Sequence, residues 1–211
     1  MDLLIDRFRR ALLPLDVTEP RQVRGDFDLN PEHRAEFPPP AVLTPAAVLV
    51  PVIPRPEGVT VLLTERADTL ARHAGQVAFP GGRIDPHDAS ALDAALREAE
   101  EEIGLARKAV MPLGTLDPHE TGTGYHVTPF VGWVTPPFDL TPDPGEVAAI
   151  FEVPLDFLLD RTNHTTGVGT YKERQWRYTA IPYLEHKIWG ATAAMIVNLC
   201  DRMDGVMGRA R

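Results

Sequence analysis

Arg97-Glu98-Ala99-Glu100-Glu101-Glu102-Ile103-Gly104-Leu105 follows Phe79-Pro80-Gly81-Gly82 after fourteen intervening residues. Glu98, Glu101 and Glu102 stand at i, i+3 and i+4, so on a helix they share one face. The segment Asp88–Glu102 predicts that helix, being rich in Ala, Leu, Glu and Arg with no internal Gly or Pro. Gly104 falls where helices stop in the left-handed conformation. Like charges stacked on one face destabilise an isolated helix, so a compensating group is implied. A hard divalent cation with oxygen ligands, Mg²⁺ or Mn²⁺, meets that need and suits polyphosphate chemistry. Glu runs on helices are usually solvated surface, so the run Glu100–Glu102 decides nothing by itself; its flanks do.

Those flanks form a pattern. Gly82, five spacers, Asp88, eight spacers and then Arg97-Glu98-Ala99-x-Glu101-Glu102-x-Gly104-Leu105 resembles the Nudix box over 24 residues. In that box the acidic residue is Glu and seven spacers separate it from the Arg. Here Asp88 takes the position with one residue inserted, ahead of or at the start of the helix. Residues 62–82 carry a second, contiguous motif: Leu62, Leu63, Arg66, Leu70, His73, Gly75, Gln76, Val77, Phe79, Pro80, Gly81 and Gly82. It is similar to the signature that precedes the Nudix box in coenzyme A pyrophosphatases. Gly124-Tyr125-x-Val127-x-Pro129-Phe130-Val131, Glu146-Val147 and Ile188-Trp189-Gly190-Ala191-Thr192 echo the same subfamily. The resemblance implies a Nudix α/β/α sandwich with a mixed β-sheet and a loop–helix–loop metal motif.

The 211 residues suit one domain, and 44% hydrophobic content suits an ordinary core. A formal charge of −9 argues against an electrostatic grip on nucleic acid. Cys200 is the single cysteine, so no intramolecular disulfide forms, and it reads as a small apolar residue near a helix end. No segment approaches the roughly 18 apolar residues of a membrane span. The start of the chain lacks the basic, apolar and small-residue regions of a signal peptide. A cytoplasmic protein with no membrane partner, monomeric or homodimeric, is the expectation.

Residues 1–44 read as an amphipathic helix followed by a Pro-rich leader packed on the domain, and 45–211 as the Nudix domain. Ala46–Ile53 and Val59–Glu65 predict a hairpin around the five-residue turn Pro54-Arg55-Pro56-Glu57-Gly58. Strands are expected at Val77–Phe79, Tyr125–Val134 and Glu146–Val153, with a short helix at Pro154–Asp160. Glu173–Glu185 reads as a late hairpin, Trp189–Met203 as a closing helix, and Gly122–Gly124 and Thr162–Gly169 as loops that set acyl-chain preference.

By resemblance, Glu98 and Glu102 are the firmest metal ligands, and Glu101 is a ligand or the group that activates water. Arg97 would orient a glutamate through a paired-donor contact. Gly81 and Gly82 let the backbone turn tightly and approach metal or phosphate. Glu146 either reaches the metals from outside the box or is an exposed strand-end charge. Arg66 suits a phosphate, and coenzyme A offers its 3′-phosphate. His73 hydrogen-bonds phosphate or holds its loop, and Gln76 binds substrate or backbone. There is no zinc spacing of His and Cys, no P-loop and no nucleophile elbow. The activity implied is metal-dependent cleavage of coenzyme A or acyl-coenzyme A to adenosine 3′,5′-bisphosphate and the phosphopantetheine half. ADP-ribose or another nucleoside diphosphate derivative, a non-catalytic coenzyme A sensor and an RNA-end hydrolase are the alternatives.

Overall fold

Alternation along β2 (Thr44–Arg55) sets the architecture. Ala46, Val50 and Val52 point to one side of the sheet, and Ala47, Leu49 and Ile53 to the other. A strand apolar on both faces must be covered twice, and here helices cover each face. The computed structural model describes residues 2–15, 22–37, 42–69 and 74–207. Leu70 and His73 of the second motif lie outside the described residues, as do Pro20 and Pro38–Pro40 of the leader.

In chain order the elements are α1 (Asp2–Ala11), β1 (Arg24–Gly25), β2, β3 (Gly58–Arg66), β4 (Val77–Ala78), β5 (Gly81–Arg83) and α2 (Ala91–Ile103). There follow β6 (Val110–Thr115), β7 (His119–Glu120), β8 (Tyr125–Val134), β9 (Val147–Pro154) and α3 (Leu155–Leu159). The chain closes with β10 (Thr165–Tyr171), β11 (Arg174–Tyr183), β12 (His186–Trp189) and α4 (Gly190–Met207). β2 runs parallel to β8 and antiparallel to β3 and β5, so the main sheet is mixed. Ala94, Ala95, Ala99 and Ile103 of α2 pack on one face against Leu49, Leu62 and Phe130. Phe8 of α1, Leu155 and Leu158 of α3, and Ile196 and Leu199 of α4 cover the other. The fold is the expected α/β/α sandwich.

Several details differ from the sequence reading. α2 begins at Ala91, capped by Ser90, whose hydroxyl accepts from the Asp93 N–H at 3.1 Å. Asp88 therefore sits ahead of the helix, in a turn closed by its bonds with Asp85. The first hairpin turns through Pro56-Glu57 alone, because Arg55 already pairs with Gly58. The late hairpin starts earlier than expected: Thr165–Tyr171 is a strand, and the turn is Lys172-Glu173, both at positive φ as a tight hairpin turn requires. β6, broken by Pro112 and Gly114, gave no strand signal. Cys200 is buried in α4, and burial pushes its thiol up to about 11.

Candidate active site

β5 and α2 build the site together. Gly81 has φ +149°, and a Cβ there would come within 2.5 Å of the Val48 Cα, so no other residue fits. Its N–H donates to Glu102 Oε2 at 3.1 Å. At Gly82 a Cβ would lie 2.6 Å from the Glu98 carboxylate. Gly81 thus lets β5 lie close against the β2 backbone, and Gly82 makes room for the protein's own Glu98 carboxylate.

Arg97 organises the rest. Its Nε and Nη2 donate to the two oxygens of Asp88 at 2.8 and 3.0 Å. Its Nη1 donates to Glu98 Oε1 at 3.0 Å and to Glu101 Oε2 at 2.8 Å. The paired-donor contact expected with a glutamate is therefore made with Asp88, and one remaining nitrogen holds both glutamates. The Asp88 side chain is 3% exposed, and the Arg97 guanidinium holds its carboxyl down at about 2. Asp88 in turn is the main cause that raises Arg97 above its ordinary range. Glu101 is 61% exposed and faces solvent beyond Arg97.

Glu102 is 4% exposed, with one backbone N–H for a hydrogen-bond partner among the described residues. Burial pushes its carboxyl up to about 7; the Gly81 N–H and the charge of Arg66 pull it down, while Glu98 and Glu146 push it further up. Glu98 is also raised, first by burial and opposed by Arg97, with Glu101 and Glu146 adding repulsion. Glu146 is exposed at the entry to β9, and its charge acts on both Glu98 and Glu102. Its carbonyl accepts from the Ala67 N–H at 2.9 Å, which fixes it beside the end of β3. Arg66 ends that strand at an irregularity in the β3–β9 ladder, a device that re-aims a side chain. Its Nε is buried with no hydrogen-bond partner among the described residues. The Arg66 N–H donates to the Gln76 carbonyl at 3.0 Å, and the Gly75 N–H to the Arg66 carbonyl at 3.0 Å. The structure thus brings Arg66, Gln76, Gly81, Gly82, Arg97, Glu98, Glu101, Glu102 and Glu146 into one region. His73 lies outside the described residues.

A cation fits this donor set. Buried Glu102 and half-buried Glu98 repel each other and a third carboxylate, and neutralising them needs concentrated positive charge. Among the described residues no three acidic, imidazole or thiol groups form a ready-made cage. Glu98 and Glu101 are drawn onto Arg97 instead, so an entering ion competes with that guanidinium. Glu98, Glu102 and Glu146 would hold Mg²⁺ or Mn²⁺. Sequence reasoning missed the loop that closes the far end of α2. There Thr141 and Asp143 donate backbone N–H bonds to the Ile103 and Glu102 carbonyls at 2.8 and 2.9 Å. Its Pro- and Asp-rich sequence announced a turn but not what the turn would cap. A surface hollow of about 680 Å³ lies along β9 between Leu140 and Glu152 and contains none of these groups.

Residues 43–172 match the NUDIX domain family model, well over half of the chain. The chain belongs to the Nudix hydrolase family. A Nudix hydrolase NudL of Photorhabdus laumondii, described as uncharacterized, is 46% identical over 158 residues, covering 75% of this chain and 84% of that one. One from Yersinia pestis, described in the same words, is 44% identical over 164 residues, covering 75% and 79%. Among solved structures, the Nudix hydrolase RenU of M. smegmatis is 27% identical over 56% of this chain and 74% of that one, with a TM-score of 0.47. No helix among the described residues of this Nudix protein is long and apolar enough to cross a membrane.

Proposed function

We propose that this Nudix hydrolase cleaves the diphosphate of coenzyme A or its thioesters, using Mg²⁺ or Mn²⁺. The observation that carries the reading is the junction of its two motifs. The signature segment 62–82 ends in the Gly81 N–H that binds Glu102, and it begins with the strand that carries Arg66 to the same carboxylate. Signature and acidic helix thereby meet at one carboxylate, which supports reading the first as the substrate-recognising part and the second as the metal-holding part of one site.

A diphosphate resists attack because its oxygens repel a nucleophile, and a bound divalent ion supplies charge neutralisation and water activation. The chain's own residues supply the rest. Glu98 and Glu102 present oxygens from a rigid helix, and Arg97 keeps Glu98 and Glu101 aligned. Glu101, exposed and next to Glu98 and Glu102, is the base candidate that can exchange protons with water. Arg66 provides a guanidinium for phosphate, with donors that no carboxylate among the described residues hydrogen-bonds.

The test is hydrolysis of coenzyme A against ADP-ribose with Mg²⁺ or Mn²⁺ in ¹⁸O-labelled water, with products read by mass. Glu98→Gln and Glu101→Gln serve as controls. Metal-dependent release of adenosine 3′,5′-bisphosphate, lost in both variants, is the expected result. Cleavage of ADP-ribose alone would keep the Nudix chemistry and discard the coenzyme A assignment.

A further inference from the structure

Among the described residues, eight arginines of this acidic chain pair with a carboxylate, Arg24 and Arg202 among them. Arg55, Arg97, Arg107, Arg161, Arg174 and Arg177 each pair with a carboxylate. Arg83 does not. It ends β5, one residue beyond Gly82, and its carbonyl accepts from Arg97 Nη2 at 3.2 Å. Its backbone is therefore one guanidinium away from Glu98 and Glu101.

Strand geometry fixes which way the Arg83 side chain leaves. Gly82 pairs with Ala47, on the α2 face, and Arg83 with Ala46, on the opposite face. Glu98 thus approaches β5 from one side and Arg83 departs on the other. There it meets Tyr125, the first residue of β8. Arg83 Nη2 donates to the Tyr125 hydroxyl at 3.1 Å, and the guanidinium lies 5.7 Å from the ring centroid. Arg83 is exposed, and its Nε and Nη1 have no protein acceptor among the described residues. Tyr125 is itself held by the preceding loop, where its N–H donates to Thr121 Oγ1 at 3.0 Å. That loop is tied down from two sides: Gly122 N–H donates to Asp26 at 2.8 Å, and the Tyr171 hydroxyl donates to the Gly122 carbonyl at 3.0 Å.

A guanidinium steered by an aromatic hydroxyl, lacking a carboxylate and abutting a diphosphate-cleaving centre, is arranged for an anion. We propose that Arg83, positioned by Tyr125, binds a phosphate oxygen of the substrate where it crosses the end of β5. The inference rests on the diphosphate-hydrolase reading, and it requires no particular group at either end of the substrate. Tyr125 acts through Arg83 and is a positioning residue.

Arg83→Ala, Arg83→Lys, Tyr125→Phe and the double variant Arg83→Ala/Tyr125→Phe test it, first by calorimetric binding of inorganic pyrophosphate with Mg²⁺. Arg83→Ala should weaken pyrophosphate about tenfold, the scale of one charge-assisted contact. Arg83→Lys should recover part of the loss, and Tyr125→Phe should lose about threefold. The double variant should match Arg83→Ala, because the tyrosine has nothing left to position. On whichever diphosphate the wild type cleaves, KM should rise with little change in kcat, and thermal midpoints should stay put. Unchanged pyrophosphate affinity in folded Arg83→Ala overturns the proposal. So does a Tyr125→Phe effect that persists at full size in the Arg83→Ala background, or a wild type that does not bind pyrophosphate. Failure to cleave coenzyme A with pyrophosphate binding as expected overturns only the substrate reading.

Discussion

Two carboxylates are buried to nearly the same depth and lead opposite lives. Asp117, 5% exposed, follows β6 and is surrounded by donors. Arg202 pairs with it, Asn198 donates an amide N–H to it at 2.7 Å, and Arg24 lies 3.9 Å away. Even its backbone is engaged, with its N–H donating to Asn198 Oδ1 at 3.0 Å. That cluster ties the leader, the end of β6 and α4 together. Glu102, 4% exposed, has one backbone N–H and two acidic neighbours. A buried charge that is fully partnered belongs to the scaffold; one left short of partners belongs to whatever binds there.

The comparison can be broken at either end. Glu102→Gln should lower kcat with Mg²⁺ by roughly a hundredfold to a thousandfold, since a ligand to a catalytic ion contributes several kcal/mol. Steady-state kinetics at saturating metal will measure it, and near-wild-type turnover would remove Glu102 from the site. Asp117→Ala should leave kcat per folded molecule unchanged. It strands Arg202 and part of Arg24, so stability should fall by about 3 kcal/mol, read as a drop in the thermal midpoint.

pH sharpens the contrast. The folded Glu102 carboxyl titrates near 7, and the ordinary value is 4.5. The raised value means that charging this group opposes folding: nothing is lost below about pH 4.5, and the full loss is reached above 7. In metal-free protein, Glu102→Gln should therefore raise stability at pH 8 by about 3 kcal/mol and leave it unchanged near pH 4. Denaturant titrations at the two pH values will check this. One substitution would then lower activity and raise stability, as expected for a group retained for function. The smallest effect is assigned to Asp88→Asn, which leaves Arg97 in place but loosens its anchor. About a tenfold loss of metal affinity is expected, measured by Mn²⁺ titration, with the fold intact.

The sandwich was legible because β2, β3 and α2 carry their periods openly. The acidic face was legible because three glutamates at helical spacing need an explanation. What was not legible depends on contacts between distant segments. The role of Asp88 could not be read from spacing, because the relevant quantity is where its two oxygens meet Arg97. The turn at Lys172-Glu173 places ordinary residues at positive φ, so no Gly or Asn announced it. The Asp117 cluster joins residues 24, 117, 198 and 202, which no local pattern connects. Arg83 and Tyr125 are 42 positions apart, and only the pairing of both β5 and β8 with β2 brings them together.

The Asp88–Arg97 clamp has a consequence for how such sites vary over generations. Its two ends are side-chain tips, indifferent to how many residues the backbone spends between them. Spacing can change where the turn closed by Asp85 and Asp88 meets a helix that has not yet begun. Between Arg97 and Glu102 no such slack exists, since every position there is fixed by helical rotation. Insertions and deletions should therefore accumulate before Ser90 and be eliminated after it. A search demanding one fixed interval from the glycines to the arginine would pass over chains that build the same clamp by another route.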